Sequence, residues 1–154
     1  MIIRDYRPSD FTQVEVLWKD TGIYTMERGD TNEIIQRCNA RGGKFLIMED
    51  SVTERVTGTS WMTFDGRRIF LHHFAINPLM QGKGLGRNLA LASLEFAREL
   101  GYPLKLEVHR DNIPAINLYK SLGFIVFEDY DVYMILDPGK SLQSDTPEGL
   151  DPSI

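Results

Sequence analysis

Residues 81–100 read "QGKGLGRNLALASLEFAREL". Gly82, Gly84 and Gly86 alternate with Lys83, Leu85 and Arg87, directly ahead of a segment in which Leu85, Leu89, Ala92, Phe96 and Leu100 recur at steps of three and four. That period is an amphipathic helix, and Gly101 closes it. The first N–H groups of a helix have no intrahelical partner and lie at the positive end of its dipole. With no Cβ atoms in the way they hold an anion such as a phosphate, and Lys83 and Arg87 stand at its rim. Two familiar phosphate loops do not fit the spelling. A Walker A loop needs Gly-Lys followed by Ser or Thr, and Gly86 is followed by Arg87 and Asn88; a dinucleotide fingerprint counted from Gly84 needs glycine where Leu89 stands.

Outward from this loop the chain has a regular order. "IIRDY" is a strand. A helix follows over "RPSDFTQVEVLWKDTG", with Asp10 as its N-cap and Gln13 three residues on, and a second helix starts from the Asp30/Glu33 spacing. "KFLIME", "RVTGTSWMTF" and "RIFLHHFAI" are strands of an antiparallel meander, the last two joined at Asp65-Gly66. Beyond the long helix, "PLKLEVHR" is a strand. "NIPAINLYKSLG" is a short helix capped by Asn112, and "FIVFED" and "VYMIL" are two final strands. The expectation is an α/β (α+β) domain over residues 1–137, with a mixed, mostly antiparallel sheet of about seven strands and about four helices in the order β-α-α-β-β-β-α-β-α-β-β. The Pro-, Gly- and acid-rich residues 138–154 read as a disordered tail.

The chain has 154 residues, 42% hydrophobic and 25% charged, enough for a single core. Its net charge of −5, with no long basic run, argues against a nucleic-acid partner. No apolar stretch reaches the roughly 20 residues of a membrane helix and the first residues lack signal-peptide organisation, so no membrane association and a cytoplasmic setting are expected. The single cysteine, Cys38, forms no internal disulfide, and no metal-ligand spacing is present.

Gln81, Gly84 and Gly86 spell Q-x-x-G-x-G after the strand ending "FAINP". The segment "LHHFAINPLMQGKGLGRNLALASLEFA" resembles the acyl-coenzyme A motif of the GNAT N-acetyltransferase superfamily, and "LEVHRDNIPAINLYKSLGF" resembles its second conserved block. The closest likeness is to the ribosomal-protein alanine N-acetyltransferase group. The resemblance implies the GNAT fold and an acetyl-CoA-dependent N-acetyltransferase that moves acetyl from the thioester to a primary amine in a ternary complex, releasing coenzyme A. It implies that amides around Gln81, Gly82, Lys83, Gly84, Leu85, Gly86 and Arg87 wrap the pyrophosphate. Phe74, Ala75 and Ile76 would offer backbone groups to pantetheine, the amide of Ile76 or a neighbour would face the oxyanion, and Asn112 would bond the coenzyme from the other side. Tyr119 matches the tyrosine near the sulfur, a candidate general acid, and Glu107 the base glutamate of the alanine group.

Strand alternation sets Lys105, Glu107 and His109 on one face and Leu104, Leu106 and Val108 on the other. By the same alternation one of His72 and His73 faces the cleft, and either rivals Glu107 as base because histidine titrates near neutrality. In this fold substrate choice falls to the loop between the first two helices and to the last hairpin, here Tyr24, Glu27, Asp129 and Tyr130. The acceptor is a small amine or a protein or peptide amino group, and a homodimer is common in the superfamily. Two other readings stay open: a non-catalytic acyl-CoA binding or sensing module, and a small nucleotide-binding protein built on the glycine loop.

Overall fold

The structure, a computed structural model, describes residues 1–24 and 29–141. Strand β1 (Ile2–Asp5) is followed by a 3-10 turn (Pro8–Asp10) and helices α1 (Phe11–Asp20) and α2 (Asn32–Ala40). The meander β2 (Lys44–Glu49), β3 (Val56–Phe64) and β4 (Ile69–Ile76) comes next. A 3-10 turn (Pro78–Met80), α3 (Leu85–Leu100), β5 (Leu104–Leu106), α4 (Ile113–Ser121) and a terminal turn α5 (Pro138–Ser141) complete the order. The sheet runs β1-β2-β3-β4-β5, antiparallel through β4, with β5 parallel to β4 because α3 carries the chain back across the sheet.

Both faces are covered, so β2 reads as a continuous apolar run and not as an alternation. Phe45 and Ile47 turn to one face, where they meet Val14, Leu17 and Trp18 of α1 and Ile35 of α2. Leu46 and Met48 turn to the other, with Met62, Leu71, Ile76 and, from α3, Leu89 and Ala97. Trp18, Phe45 and Trp61 form a triangular aromatic cluster, their ring centroids 6.0, 6.1 and 6.3 Å apart. Ser60 and Ser93, both fully buried, share a hydrogen bond of 2.7 Å that ties β3 to α3.

Several expected boundaries move. Asp10 is the N-cap of α1 as expected, but its side chain makes no cap bond to the helix. Its carboxylate accepts from Arg4 (2.8 and 2.9 Å) and from the Arg7 amide (2.7 Å), locking β1 to the first turn. Helix α2 is capped by Thr31, whose hydroxyl accepts from the Ile34 amide, which frees Asp30 from the helix end. The sheet has five strands among the described residues where about seven were expected, since "FIVFED" and "VYMIL" form no ladder. Strand propensity becomes a strand only where a neighbour accepts its hydrogen bonds. Here the run is laid open, with Ile125 77% and Tyr133 92% exposed. The expected tail begins with the turn α5, and residues 142–154 lie outside the described residues.

Candidate functional site

Gln81 donates to the Ile76 carbonyl at 3.0 Å and so pins the glycine loop to the end of β4. Gly84, at φ +78°, is the left-handed N-cap of α3, and a Cβ built there meets no atom within 4 Å. The amides of Gly82, Lys83 and Gly84 donate to no other group among the described residues, and the first N–H groups of α3 are free by helix geometry. The loop is therefore an open row of donors at a positive helix end, which fits a diphosphate. Lys83 Nζ folds back to the Leu79 carbonyl at 3.3 Å, and Arg87 donates to Ser121 Oγ at 3.0 Å, joining α3 to α4. Leu85 and Gly86 form the first turn of α3, and Gly86 backs onto Leu118 and Ile76.

Strand β5 covers β4 only from Ile69 to Leu71. From His72 to Ile76 that edge of β4 has no strand partner among the described residues, and Phe74, Ala75 and Ile76 lead along it to the loop. Tyr119, 8% exposed, stands beside this opening with its ring 6.0 Å from Phe74 and 5.5 Å from Phe124. Burial pushes its hydroxyl up to about 12. Asn112 Oδ1 is taken by the Ala115 amide at 3.3 Å, the N-cap of α4. Just past β5, Glu107 is exposed and 3.8 Å from Lys105, and the expected alternation holds: Leu104, Leu106 and Val108 are half-buried while Lys105, Glu107 and His109 are exposed.

The histidines depart from simple alternation. Trp61 lies opposite His72 and Thr59 opposite Ala75, so Ser60 alone faces both His73 and Phe74. This is a β-bulge, and His73 takes φ +38° within it. A regular strand sends consecutive side chains to opposite faces. The bulge returns both rings to one face, His72 5.7 Å and His73 5.4 Å from Trp61. His72 is spoken for: its Nε2 bonds Thr63 Oγ1 at 2.8 Å and its ring stacks on Phe70 at 4.3 Å. Burial, with His73 as a second cause, holds it down to about 4.

That value makes a prediction. An unfolded histidine titrates near 6.5, so between there and about 4 the folded chain binds fewer protons than the unfolded one. The stability tied to neutral His72 is fully present above 6.5 and lost as pH falls toward 4, by up to about 3 kcal/mol at 1.36 per unit. Urea midpoints measured from pH 7 to 4.5 should fall clearly less in His72→Gln, which keeps a partner for Thr63, than in the parent. Equal losses in both would assign the acid sensitivity elsewhere.

Tyr24 lies under Lys19, whose Nζ is 4.9 Å from its ring centroid, and Tyr130 packs edge-on against Phe127 at 6.2 Å. Asp129 and Tyr130 belong to the exposed run after Phe124, and Glu27 lies outside the described residues. A cleft of about 350 Å³ flanks His72, with Arg67, Arg68 and Lys105 in its lining. Sequence reasoning missed Asp30, Trp18 and Trp61, which converge on His73 from the connection ahead of α2, from α1 and from β3. No local pattern announces such a meeting.

These features, an amide-lined anion cradle opening onto the free edge of a splayed strand, are those of an acyl-coenzyme A transferase. The family model described as acetyltransferase (GNAT) family matches residues 10–124, and the chain belongs to that family. It is similar to the L-amino acid N-acyltransferase MnaT of Escherichia coli K12, 30% identical over 138 residues, which cover 82% of this chain and 80% of that protein. The structure of yncA from Salmonella typhimurium with its cofactor acetyl-CoA superposes with TM-score 0.67 at 24% identity, covering 80% of this chain and 79% of that one. The ribosomal-protein-S18-alanine N-acetyltransferase of Escherichia coli also superposes with TM-score 0.67, at 20% identity over 79% of this chain and 76% of that one. The two superpositions show the shared fold. As a family member the protein is an N-acetyltransferase, with acetyl-CoA as acyl donor and an amino group as acceptor.

Proposed function

We propose that the chain acetylates the α-amino group of a free amino acid or a close analogue by direct transfer, with both substrates bound at once. The observation that carries this reading is the open amide row at Gly82–Gly84 continuing into the unpaired edge of β4 beside Tyr119. One end grips a diphosphate; the other leaves room for a thioester and a nucleophile. The acceptor class draws support from the similar L-amino acid N-acyltransferase and from the cleft beside His72, where Arg67, Arg68 and Lys105 suit an acceptor carboxylate. Chemistry agrees: an α-amine with pKa about 8 is about 3 kcal/mol easier to deprotonate than a lysine at about 10.4.

In this reading Gln81, Gly82, Lys83, Gly84, Leu85, Gly86 and Arg87 hold the diphosphate, and Asn112 contributes the amide NH₂ that its cap leaves free. Phe74, Ala75 and Ile76 hold the pantetheine arm, and Tyr119 donates a hydrogen bond to the departing sulfur. Glu107, exposed at the mouth of the opening, draws in the ammonium and passes its first proton to solvent. The single cysteine suits a cytoplasmic setting. The open apolar run Ile125–Leu136 supports a homodimer.

A panel of amino acids, simple amines and peptides with free amino termini, followed by thiol release from acetyl-CoA, tests the proposal. Release with amino acids well above that with peptides is expected. Coenzyme binding with no release across the whole panel would make the chain an acyl-CoA sensor.

A further inference from the structure

The ring of His73 is placed with unusual expense. Its backbone sits at φ +38°, a region that non-glycine residues rarely occupy. Its carbonyl accepts from Thr59 Oγ1 at 2.9 Å, and Thr59 Oγ1 in turn accepts from Trp18 Nε1 at 3.0 Å. Trp18 packs against the ring at 4.3 Å and Trp61 at 5.4 Å, so α1 and β3 fix its plane. Asp30, released from the helix end by Thr31, takes Nε2–H at 3.0 Å, the two side chains 9% and 17% exposed. With the proton on Nε2, Nδ1 carries a lone pair, and this atom is buried with no hydrogen-bond partner. An unmet buried polar atom costs roughly 1–3 kcal/mol. Bulge, hydroxyl chain, aromatic walls and carboxylate together hold a bare basic nitrogen in one orientation.

Its location gives that nitrogen a task. Nδ1 lies on the backbone side of the ring, at the bulge where β4 leaves β5. The glycine loop opens from the end of the same strand edge, three residues further on at Ile76. His73 projects to the α1 face, while Leu89 and the rest of α3 pack the opposite face. Nδ1 is enclosed in the free protein, so an amine from the α1 face reaches it only as the strand opening widens around the bound thioester.

We propose that His73 is the proton acceptor for the attacking amine, with Asp30 as its positioning residue; this rests on the acetyltransferase reading above. The amine enters as the free base. Its nitrogen lone pair forms the C–N bond to the thioester carbonyl carbon while the carbonyl π pair moves to oxygen. Nδ1 takes one N–H proton, and the imidazolium so formed is stabilised by the Asp30 carboxylate. The oxygen pair then re-forms C=O, the C–S bond breaks with its pair on sulfur, and His73 returns its proton through solvent to give the neutral thiol. Glu107 handles the earlier proton of the entering ammonium, so the two groups act at different moments.

Two variants and one spectrum test the assignment. His73→Gly accepts the positive φ without strain and leaves a ring-sized gap between Trp18 and Trp61. It should bind coenzyme A as the parent does and lose at least about 100-fold in kcat, the usual scale of general-base loss, with partial recovery in added imidazole. His73→Asn, also tolerant of positive φ, should be equally slow and not recover. In the parent without substrates, ¹⁵N-histidine NMR should show Nε2 protonated and Nδ1 bare, and Asp30→Asn should shift that pattern. Kcat within threefold of the parent in either variant, failure of imidazole to restore His73→Gly, or a protonated Nδ1 would each overturn the proposal. A parent protein that releases no thiol with any amine would instead overturn the acetyltransferase reading beneath it.

Discussion

Gly84→Asp should abolish coenzyme A binding while the chain stays folded. Gly84 is the left-handed cap of α3, and its missing Cβ faces space that no protein atom fills within 4 Å. A side chain there meets no wall, so the cost to the fold is the positive φ alone, which Asp tolerates better than most residues. The carboxylate, however, stands where unpaired amides gather for a diphosphate, and repulsion adds to loss of the cradle. Removal of charge-assisted bonds at about 1.5–3 kcal/mol each gives a fall of 100-fold or more in affinity. Calorimetric titration with coenzyme A beside a urea melt separates the two effects. Unchanged affinity would take the loop out of the site, and Gly84→Ala, which adds the Cβ without the charge, should weaken binding far less.

The second large effect is on turnover. Tyr119→Phe should lower kcat by about 10- to 100-fold with coenzyme affinity nearly intact, within the range of a lost acid or oxyanion-type donor. The reason it is not larger lies in the hydroxyl itself. Burial pushes Tyr119 up to about 12. Outright proton transfer to a thiolate of pKa about 8.5 would then run uphill by about 5 kcal/mol, so the useful act is a hydrogen bond that strengthens as charge grows on sulfur. Phenylalanine keeps the contacts with Phe74 and Phe124, at 6.0 and 5.5 Å between centroids, and the fold should not notice the change. Full activity in Tyr119→Phe would move the donor elsewhere; loss of coenzyme binding in step with kcat would make the tyrosine a wall.

The parts of this protein legible in its sequence are those whose physics is local. Helix α3 is written in the recurrence from Leu85 to Leu100 and stopped at Gly101, which adopts φ +82° as a left-handed cap must. The strand "KFLIME" matches β2 residue for residue, and the glycine loop announced an anion cradle because free amides at a helix start are a property of any helix. Where an expectation failed, contacts that the local pattern does not encode decided the outcome. Asp10 keeps the cap position its spacing suggested, but its carboxylate accepts from Arg4 and the Arg7 amide and not from the helix. The alternation of "VYMIL" suggested a strand, and without a ladder to join it is none.

Residue order alone determined the family, the meander, the long helix and the glycine turn ahead of it, since each rests on periods and turns read within a few positions. Only the tertiary structure decided what surrounds His73. One residue extra on β4 against Ser60 turns His73 onto the face of His72, and packing then brings Trp18, Trp61 and Asp30 around it from three remote parts of the chain. A bulge reverses the facing of a side chain without changing composition or period enough to be seen, and contacts between remote segments exist only once the sheet has closed on its helices.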